Sequence, residues 1–178
     1  MNFKPIPNNF EYLNWQEVEA IAKDKRSTVI WPFGAVEQHG PHLPLATDSI
    51  FVDEIINEVL GLFSSDIPVK RLPTQYVGFS PEHKGFAGTI SLSSSLITSM
   101  VKEVGGQLSE MGFKRLILMN GHGGQISLLN TAARELRSFA PGMAVFPCFL
   151  WSGVNGLSEF LTKTEIENGL HASLAETS

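Results

Sequence analysis

The sequence predicts an α/β protein built on a mainly parallel sheet. Short apolar runs rich in β-branched residues alternate with longer stretches in which apolar residues recur at helical spacing. The composition, 43% apolar and 17% charged, favours a sheet covered by helices on both faces. With 178 residues and no repeat or linker that would divide them, the expectation is a single domain over residues 1–178.

The first third of the chain is predicted to hold a short helix, a buried strand and a longer helix. Asn14 and Glu17 have the spacing of a capping box, which would open a short helix through Ile21. The apolar, β-branched run STVIWPF at 27–33 predicts a buried strand. Helical spacing then predicts a helix after Asp48. Its apolar positions are Val52, Ile55, Ile56, Val59, Leu60 and Phe63.

The middle of the chain repeats this alternation. A second strand is predicted within PVKRLPTQYVGF, and a helical stripe of apolar residues runs from Ile97 to Met111. Ser93 to Ser95 can cap the start of this helix, and Gly112 is placed to end it. RLILMN at 115–120 predicts another buried strand.

The last third is predicted to add a helix, a strand and a weaker helix. Apolar residues from Ile126 to Leu136 have helical spacing, MAVFPCFL at 143–150 indicates a strand, and a weak helical pattern covers 158–168. Loops that leave the carboxyl ends of strands in an open α/β sheet gather in one crevice. The loops after the strands at 27–33, 115–120 and 143–150 are therefore expected to meet.

Charge, cysteine content and the lengths of the apolar runs argue against a nucleic-acid-binding, a disulfide-stabilised or a membrane-spanning protein. The net charge is -5 with a pI near 5.5, and no cluster of basic residues indicates nucleic-acid binding. Cys148 is the only cysteine, so it cannot form an internal disulfide. The N-terminus lacks a signal-peptide pattern, and no run approaches the roughly 18 apolar residues of a membrane span. The expectation is a cytoplasmic protein that contacts neither nucleic acid nor membrane.

The loop after the first predicted strand is rich in metal-ligand residue types. GAVEQHGPHLPLATD contains Glu37, His39 and Asp48, and such mixed nitrogen and oxygen donors suit Zn²⁺, Mn²⁺ or Fe²⁺. Glu37 and His39 are two residues apart, so in an extended segment they point to the same side. Taken singly, Glu37 is also interpretable as a solvated loop residue, His39 as a hydrogen-bonded one and Asp48 as a helix N-cap. Their density in one loop favours a metal site.

A second candidate ligand follows the strand at 115–120. His122 in NGHGGQ is flanked by glycines, which leave little side-chain packing around the ring and present it to its surroundings. The alternative is a glycine loop that cradles phosphate ahead of a helix. No lysine follows as in a P-loop, and GHGGQ does not fit G-x-G-x-x-G, so metal ligation is the better interpretation.

Four segments together resemble a known family. GAVEQHGPHLPLATD, GFSPEHKGFAGTISL, LMNGHGGQ and HASLAETS are similar, in this order, to the signature segments of the creatininase (creatinine amidohydrolase) family, over roughly residues 27 to 178. The resemblance implies a three-layer α/β/α sandwich with a mainly parallel sheet. It also implies a homo-oligomer, frequently a hexamer, with two divalent ions (Zn, Mn or Fe) per chain. The implied reaction is hydrolysis of a C–N amide bond in a small-molecule substrate.

The resemblance also assigns roles to individual residues. Glu37 and His122 match ligands of one ion, and His39 matches a ligand of the other. Asp48 matches the carboxylate that bridges both ions. The implied nucleophile is a hydroxide bridging the two ions, because paired cations about 3.5–4 Å apart lower the pKa of a shared water. His171 aligns with the active-site histidine of the family and is predicted to exchange the proton needed by the departing nitrogen.

Two departures from the family pattern bear on the substrate and the ligands. Gly123 and Gly124 replace a Tyr-Glu pair whose glutamate ligates the second ion in creatininase proper, so Glu176 becomes the natural replacement ligand. The chain resembles the NGHGG-type relatives, which include enzymes that act on formamides of pyrimidine intermediates and on modified peptides, and creatinine is an unexpected substrate. The sequence stops at Ser178, where relatives continue, so the C-terminal portion of the family is expected to be missing.

The remaining predictions concern the substrate pocket and the class of protein. His83 is predicted to line the pocket, with a structural turn as the alternative, and Trp151 is predicted to do so, with a core position as the alternative. The predicted function is a metal-dependent hydrolase that cleaves a cyclic amide, a formamide or a small peptide-like amide. The alternative is a catalytically inactive or weakened metal-binding oligomer module of the same fold.

Overall fold

The computed structural model describes residues 8–152, 155–169 and 171–177, and its central feature is a parallel sheet. The four strands are β1 (Thr28–Phe33), β2 (Val69–Arg71), β3 (Arg115–Asn120) and β4 (Ala144–Phe149). Their order is β2-β1-β3-β4, and every neighbouring pair is parallel. Phe33 stands opposite Asn120, so the central strands β1 and β3 end at the same level.

Helices connect successive strands and continue after the last. Within the described residues they are α1 (Trp15–Ala22), α2 (Thr47–Gly61), α3 (Ser94–Met111), α4 (Ile126–Phe139), α5 (Leu157–Phe160), α6 (Lys163–Asn168) and α7 (Leu174–Thr177). Short 3-10 turns lie at Phe10–Tyr12, Pro81–His83 and Gly123–Gln125. None of these helices is long and apolar enough to cross a membrane.

The ends of the helices follow local sequence signals. The Asn14 side chain accepts from the backbone of Gln16 and Glu17, and the Glu17 carboxylate accepts from the Asn14 backbone, which confirms the capping box. Ser93 caps α3, and Gly112 ends it with a φ of 104°, a left-handed conformation that glycine adopts without steric cost. The single weak helix predicted over 158–168 is instead two short helices, α5 and α6.

Side chains on the two faces of the sheet belong to different hydrophobic clusters. Val29, Trp31 and Phe33 point to one face and pack with residues of α3 and α4. Ile30 points to the other face, where it joins a cluster that includes Val52, a residue of α2. This alternation is the two-residue period of a strand, and every residue of β1 is buried. The structure therefore confirms the predicted three-layer α/β/α arrangement.

One buried glutamine ties the loops at the carboxyl ends of β1 and β3 together. The Gln125 amide nitrogen donates to the carbonyl of Gly34 at 3.1 Å and to the Asn120 side chain at 3.0 Å. Its amide oxygen accepts from the backbone of Phe79 at 3.2 Å. Three loops distant in sequence are thereby fixed against each other, and the candidate site lies among them.

An ion pair between β2 and α2 yields a prediction about stability. The guanidinium of Arg71, a buried side chain, contacts Asp53 at 2.5 Å, and Asp53 also accepts from the hydroxyls of Thr74 and Tyr76. Burial raises the pKa of Asp53, but these hydroxyls and the guanidinium lower it more, so it lies below the usual 3.8.

Asp53→Asn is expected to lower the free energy of unfolding by about 3 kcal/mol at pH 7, because it leaves the Arg71 charge buried without its partner. Urea denaturation measures the loss, with Glu54→Gln on the exposed face of α2 as control. The stabilisation by the Asp53 carboxylate is fully present above pH 3.8 and is lost as the pH falls through the lower pKa of the folded state. The two proteins should therefore converge in stability below that pH, and equal stability at pH 7 would contradict the prediction.

Candidate metal centre

Four of the predicted ligands meet at the carboxyl ends of β1 and β3. Glu37 and His39 are 0% exposed, Asp48 is 4% exposed and His122 is 3% exposed. Ionisable side chains are rarely this buried unless they are paired or bind a metal. The structure thus brings together residues from the loop after β1, the first turn of α2 and the loop after β3.

Asp48 lies between the two histidines. Its Oδ1 is 3.3 Å from Nε2 of His39, and its Oδ2 is 3.0 Å from Nδ1 of His122. The N-cap of α2 is Ala46, so Asp48 is not a capping residue and its carboxylate turns into the cluster. A carboxylate that presents one oxygen to each imidazole has the arrangement that a bridging ligand requires.

Backbone carbonyls orient both imidazole rings. Nδ1 of His39 is 3.2 Å from the carbonyl oxygen of Glu37, and Nε2 of His122 is 3.0 Å from that of Phe79. Because a carbonyl oxygen only accepts, each of these nitrogens donates a proton to it. The other nitrogen of each ring faces Asp48, as in histidine ligands whose second nitrogen is anchored by a hydrogen bond.

The carboxylates of the cluster lack sufficient hydrogen-bond donors. Among the described residues, no donor has hydrogen-bonding geometry to either oxygen of Glu37 or to Oδ2 of Asp48, although Nδ1 of His122 lies 3.1 and 3.0 Å from the two carboxylates. Leaving buried carboxylate oxygens unpaired is costly. A divalent cation would satisfy them, and the mixed imidazole and carboxylate set fits such an ion.

Electrostatics within the cluster are strong. Burial disfavours a charge on His122, but the carboxylates of Asp48 and Glu37 outweigh it and raise the pKa of His122 to about 10. Burial likewise disfavours the charged form of Asp48, yet contacts with His122 and His39 lower its pKa to about 2. Without an ion, the cluster therefore holds a proton on His122, which a metal must displace.

The C-terminal segment adds two of the predicted residues. Nε2 of His171 donates to the carbonyl of Gln38 at 2.7 Å, which leaves Nδ1 facing Glu37 Oε1 at 3.9 Å. The Glu176 carboxylate accepts from the backbone of Ala172 at 2.5 Å. His39, His171 and Glu176 each offer a ligand atom, and these atoms lie within 4.8 Å of one another.

The predicted pocket residues surround a cavity of about 380 Å³ next to the cluster. His83 stacks on His171 with ring centroids 4.4 Å apart, and its Nε2 lies 3.9 Å from Glu37 Oε2. Trp151 lines the same cavity and meets Phe51 edge to face at 5.4 Å. Further apolar lining comes from Ile126 and Phe149. Both predicted pocket residues therefore line the cavity.

Sequence reasoning did not single out several residues that contact predicted site residues, among them Ser80, whose hydroxyl lies 3.3 Å from Nε2 of His122. Glu82 Oε1 lies 3.6 Å from Nε2 of His122. Gln38 accepts from the Gly40 backbone at 2.9 Å through its amide oxygen, and its amide nitrogen lies 3.0 Å from Nδ1 of His83. Gln38 and Glu82 each stand next to a predicted site residue in the sequence and lie within the segments that resemble the family, which are the signals that could have indicated them.

Sequence comparisons identify a family and relatives of this chain. The family model for creatininase (creatinine amidohydrolase) matches residues 11–178. A mycofactocin precursor peptide peptidase of Mycobacterium tuberculosis is 35% identical over 127 residues, which cover 68% of this chain and 50% of the relative. A creatinine amidohydrolase of Pseudomonas putida is 30% identical over 134 residues, which cover 70% and 50%. The chain thus spans about half the length of these relatives.

Solved structures of creatininases also resemble this chain in fold. A creatinine amidohydrolase (creatininase) superposes with a TM-score of 0.72 at 27% identity, covering 86% of this chain and 61% of the other. A manganese creatininase has a TM-score of 0.69 at 25% identity, covering 92% and 63%. A mutant creatininase described as the Zn-Zn type has a TM-score of 0.73 at 26% identity, covering 89% and 63%. This chain belongs to the creatininase family.

Proposed function

We propose that this chain supplies the catalytic centre of a metal-dependent amidohydrolase that cleaves a C–N amide bond. The observation that carries the proposal is the buried cluster in which Asp48 presents one oxygen to each of two oriented histidines. Glu37, Asp48 and His122 would hold one divalent ion. His39, Asp48 and Glu176 would hold the other. Solved relatives described as manganese and Zn-Zn forms support Mn or Zn, while Fe fits the same donors.

When bound, divalent ions lower the pKa of a coordinated water and polarise the amide carbonyl. The protein must also provide a proton for the departing nitrogen. His171 is suited to this role, because its Nε2 is fixed on the Gln38 carbonyl and its Nδ1 faces the cluster. We assign to Nδ1 the uptake of a proton from the attacking water and the transfer of that proton to the leaving amine. The substrate would lie in the cavity between the cluster and Trp151.

The substrate class is narrowed by the cavity and by the relatives. The cavity volume of about 380 Å³ fits a small amide or the end of a peptide. The apolar wall formed by Ile126, Phe149 and Trp151 suits an apolar group beside the scissile bond. The relatives named mycofactocin precursor peptide peptidase favour a peptide-like amide over a formamide or a cyclic amide. A homo-oligomer, frequently a hexamer in the family, and a cytoplasmic location stay predictions.

The test begins with chelator-treated protein that is reloaded with Mn²⁺ or Zn²⁺. We expect about two ions per chain, no turnover in the metal-free state and recovered turnover after reloading. The substrate panel contains creatinine, formamides and short peptides, with the peptides expected to be cleaved. Absence of turnover on the whole panel by fully loaded protein would favour the inactive metal-binding module. Failure to bind any ion would reject the site itself.

A further inference from the structure

The carboxylate of Glu82 occupies the space that a side chain at position 124 would take. A Cβ built on Gly124 would overlap Glu82 Oε1 and would stand 2.6 Å from Nε2 of His122. The backbone of Gly124 is not in the left-handed region, so its conformation does not require glycine. A Cβ on the adjacent Gly123 would meet nothing within 4 Å. The absence of a side chain at position 124 therefore leaves room for the Glu82 carboxylate beside the His122 ring.

Glu82 lies close enough to Glu37 and His122 to act as a further ligand. Glu82, Glu37 and His122 each offer a ligand atom, and these atoms lie within 4.8 Å of one another. Ligand atoms about 2.0–2.2 Å from a shared ion lie at most about 4.4 Å apart. Glu82 lies in a 3-10 turn, and its side chain is 42% exposed. A small rotation of this side chain can therefore shorten the distances from its carboxylate to the other ligand atoms to the range that a shared ion requires.

The negative charges around Glu82 also favour a bound cation. Both oxygens of the neighbouring Glu37 lack a hydrogen-bond donor, and Oδ2 of Asp48 lacks one as well. Among the ion pairs of the described residues, Glu82 contacts only His122 and no lysine or arginine. Three carboxylates around one imidazole repel each other, and a divalent cation between them would offset that repulsion.

We propose that Glu82 is a ligand of the ion held by Glu37 and His122, and that Gly124 admits it. This inference rests on the proposed function, because it requires the metal centre. Glu82 and Glu176 would then serve different ions, since Glu176 groups with His39 and His171. Glu82 is thus an addition to the ligand set indicated by the family resemblance.

The test compares Glu82→Gln with the charge-matched control Glu110→Gln on an exposed position of α3. Calorimetric titration of the metal-free proteins with Mn²⁺ gives the number of ions and each affinity. The wild type and the control should bind identically, whereas Glu82→Gln should weaken one of the two sites at least about 10- to 100-fold and spare the other. Its visible Co²⁺ spectrum should also change, because the ligand set of one ion changes.

Each outcome separates this inference from the proposed function. Wild-type affinities and an unchanged Co²⁺ spectrum in Glu82→Gln would overturn the ligand role while leaving the metal centre intact. A wild type that binds no ion would instead remove the proposed function. Circular dichroism of the metal-free proteins checks folding, and Glu82→Asp, which keeps the carboxylate, should bind with intermediate affinity. An aspartate variant that binds no better than the glutamine variant would contradict the role of the charge.

Discussion

Asp48→Asn is expected to empty both metal sites and to reduce turnover by about a thousandfold or more. Oδ1 of Asp48 faces Nε2 of His39 and Oδ2 faces Nδ1 of His122, at 3.3 and 3.0 Å. An amide has one oxygen only, so the asparagine nitrogen must face one of the two rings. That nitrogen has no lone pair to offer a metal, and the negative charge that the two ions would share is lost as well.

Metal analysis after dialysis against Mn²⁺ measures this effect, alongside turnover of the substrate identified in the panel. The control is Asp66→Asn, the same chemical change at an exposed loop residue, which should keep its ions and its turnover. Unfolding in the presence of chelator checks that the metal-free Asp48→Asn protein is folded. If that protein still bound two ions and turned over substrate, Asp48 would have no place in the metal centre.

The parts of the fold that follow from local patterns were predicted correctly. The run at 27–33 predicted a buried strand, and β1 is buried on both faces because helices cover the sheet on each side. The end of α3 followed from Gly112, which adopts a left-handed conformation. Such features depend on a few neighbouring residues, so the sequence contains the information needed to place them.

The short strand β2 lies within the predicted segment, but local patterns did not give its bounds. Only Val69–Arg71 pair with β1, whereas the prediction was a strand somewhere within twelve residues. Lys70 and Arg71 interrupt the apolar pattern, and the buried Arg71 is paired with Asp53 of α2. An ion pair with a residue 18 positions earlier is not visible in the composition of the strand itself.

Within the candidate site, convergence of the loops was predictable but the surroundings of the ligands were not. The topology of a parallel sheet brings the ends of β1 and β3 together, so the meeting of His122 with the loop after β1 followed from the order of the elements. The orientation of the rings depends on backbone carbonyls, such as that of Phe79, which leave no trace in the sequence. Gly124 was interpreted only as leaving little side-chain packing around His122, whereas in the structure the absence of its side chain also leaves space for Glu82.

His171→Ala is expected to retain both metal ions and to lose about 100- to 10,000-fold in kcat, with little change in KM. The ring is partly exposed, and its Nδ1 points toward the cluster at 3.9 Å from Glu37 Oε1, beyond direct hydrogen bonding. A side chain in this position can exchange a proton with the reacting groups without holding an ion. The loss should therefore appear in the chemical step.

Three measurements separate this role from metal ligation. Metal content should equal that of the wild type, and added imidazole should restore part of kcat by entering the space vacated by the ring. KM should stay close to the wild-type value, because the substitution affects the chemical step and leaves substrate binding intact. His171 also lies in a cluster with His39 and Glu176 that could hold an ion, so loss of one ion together with turnover would make it a ligand instead of the proton carrier.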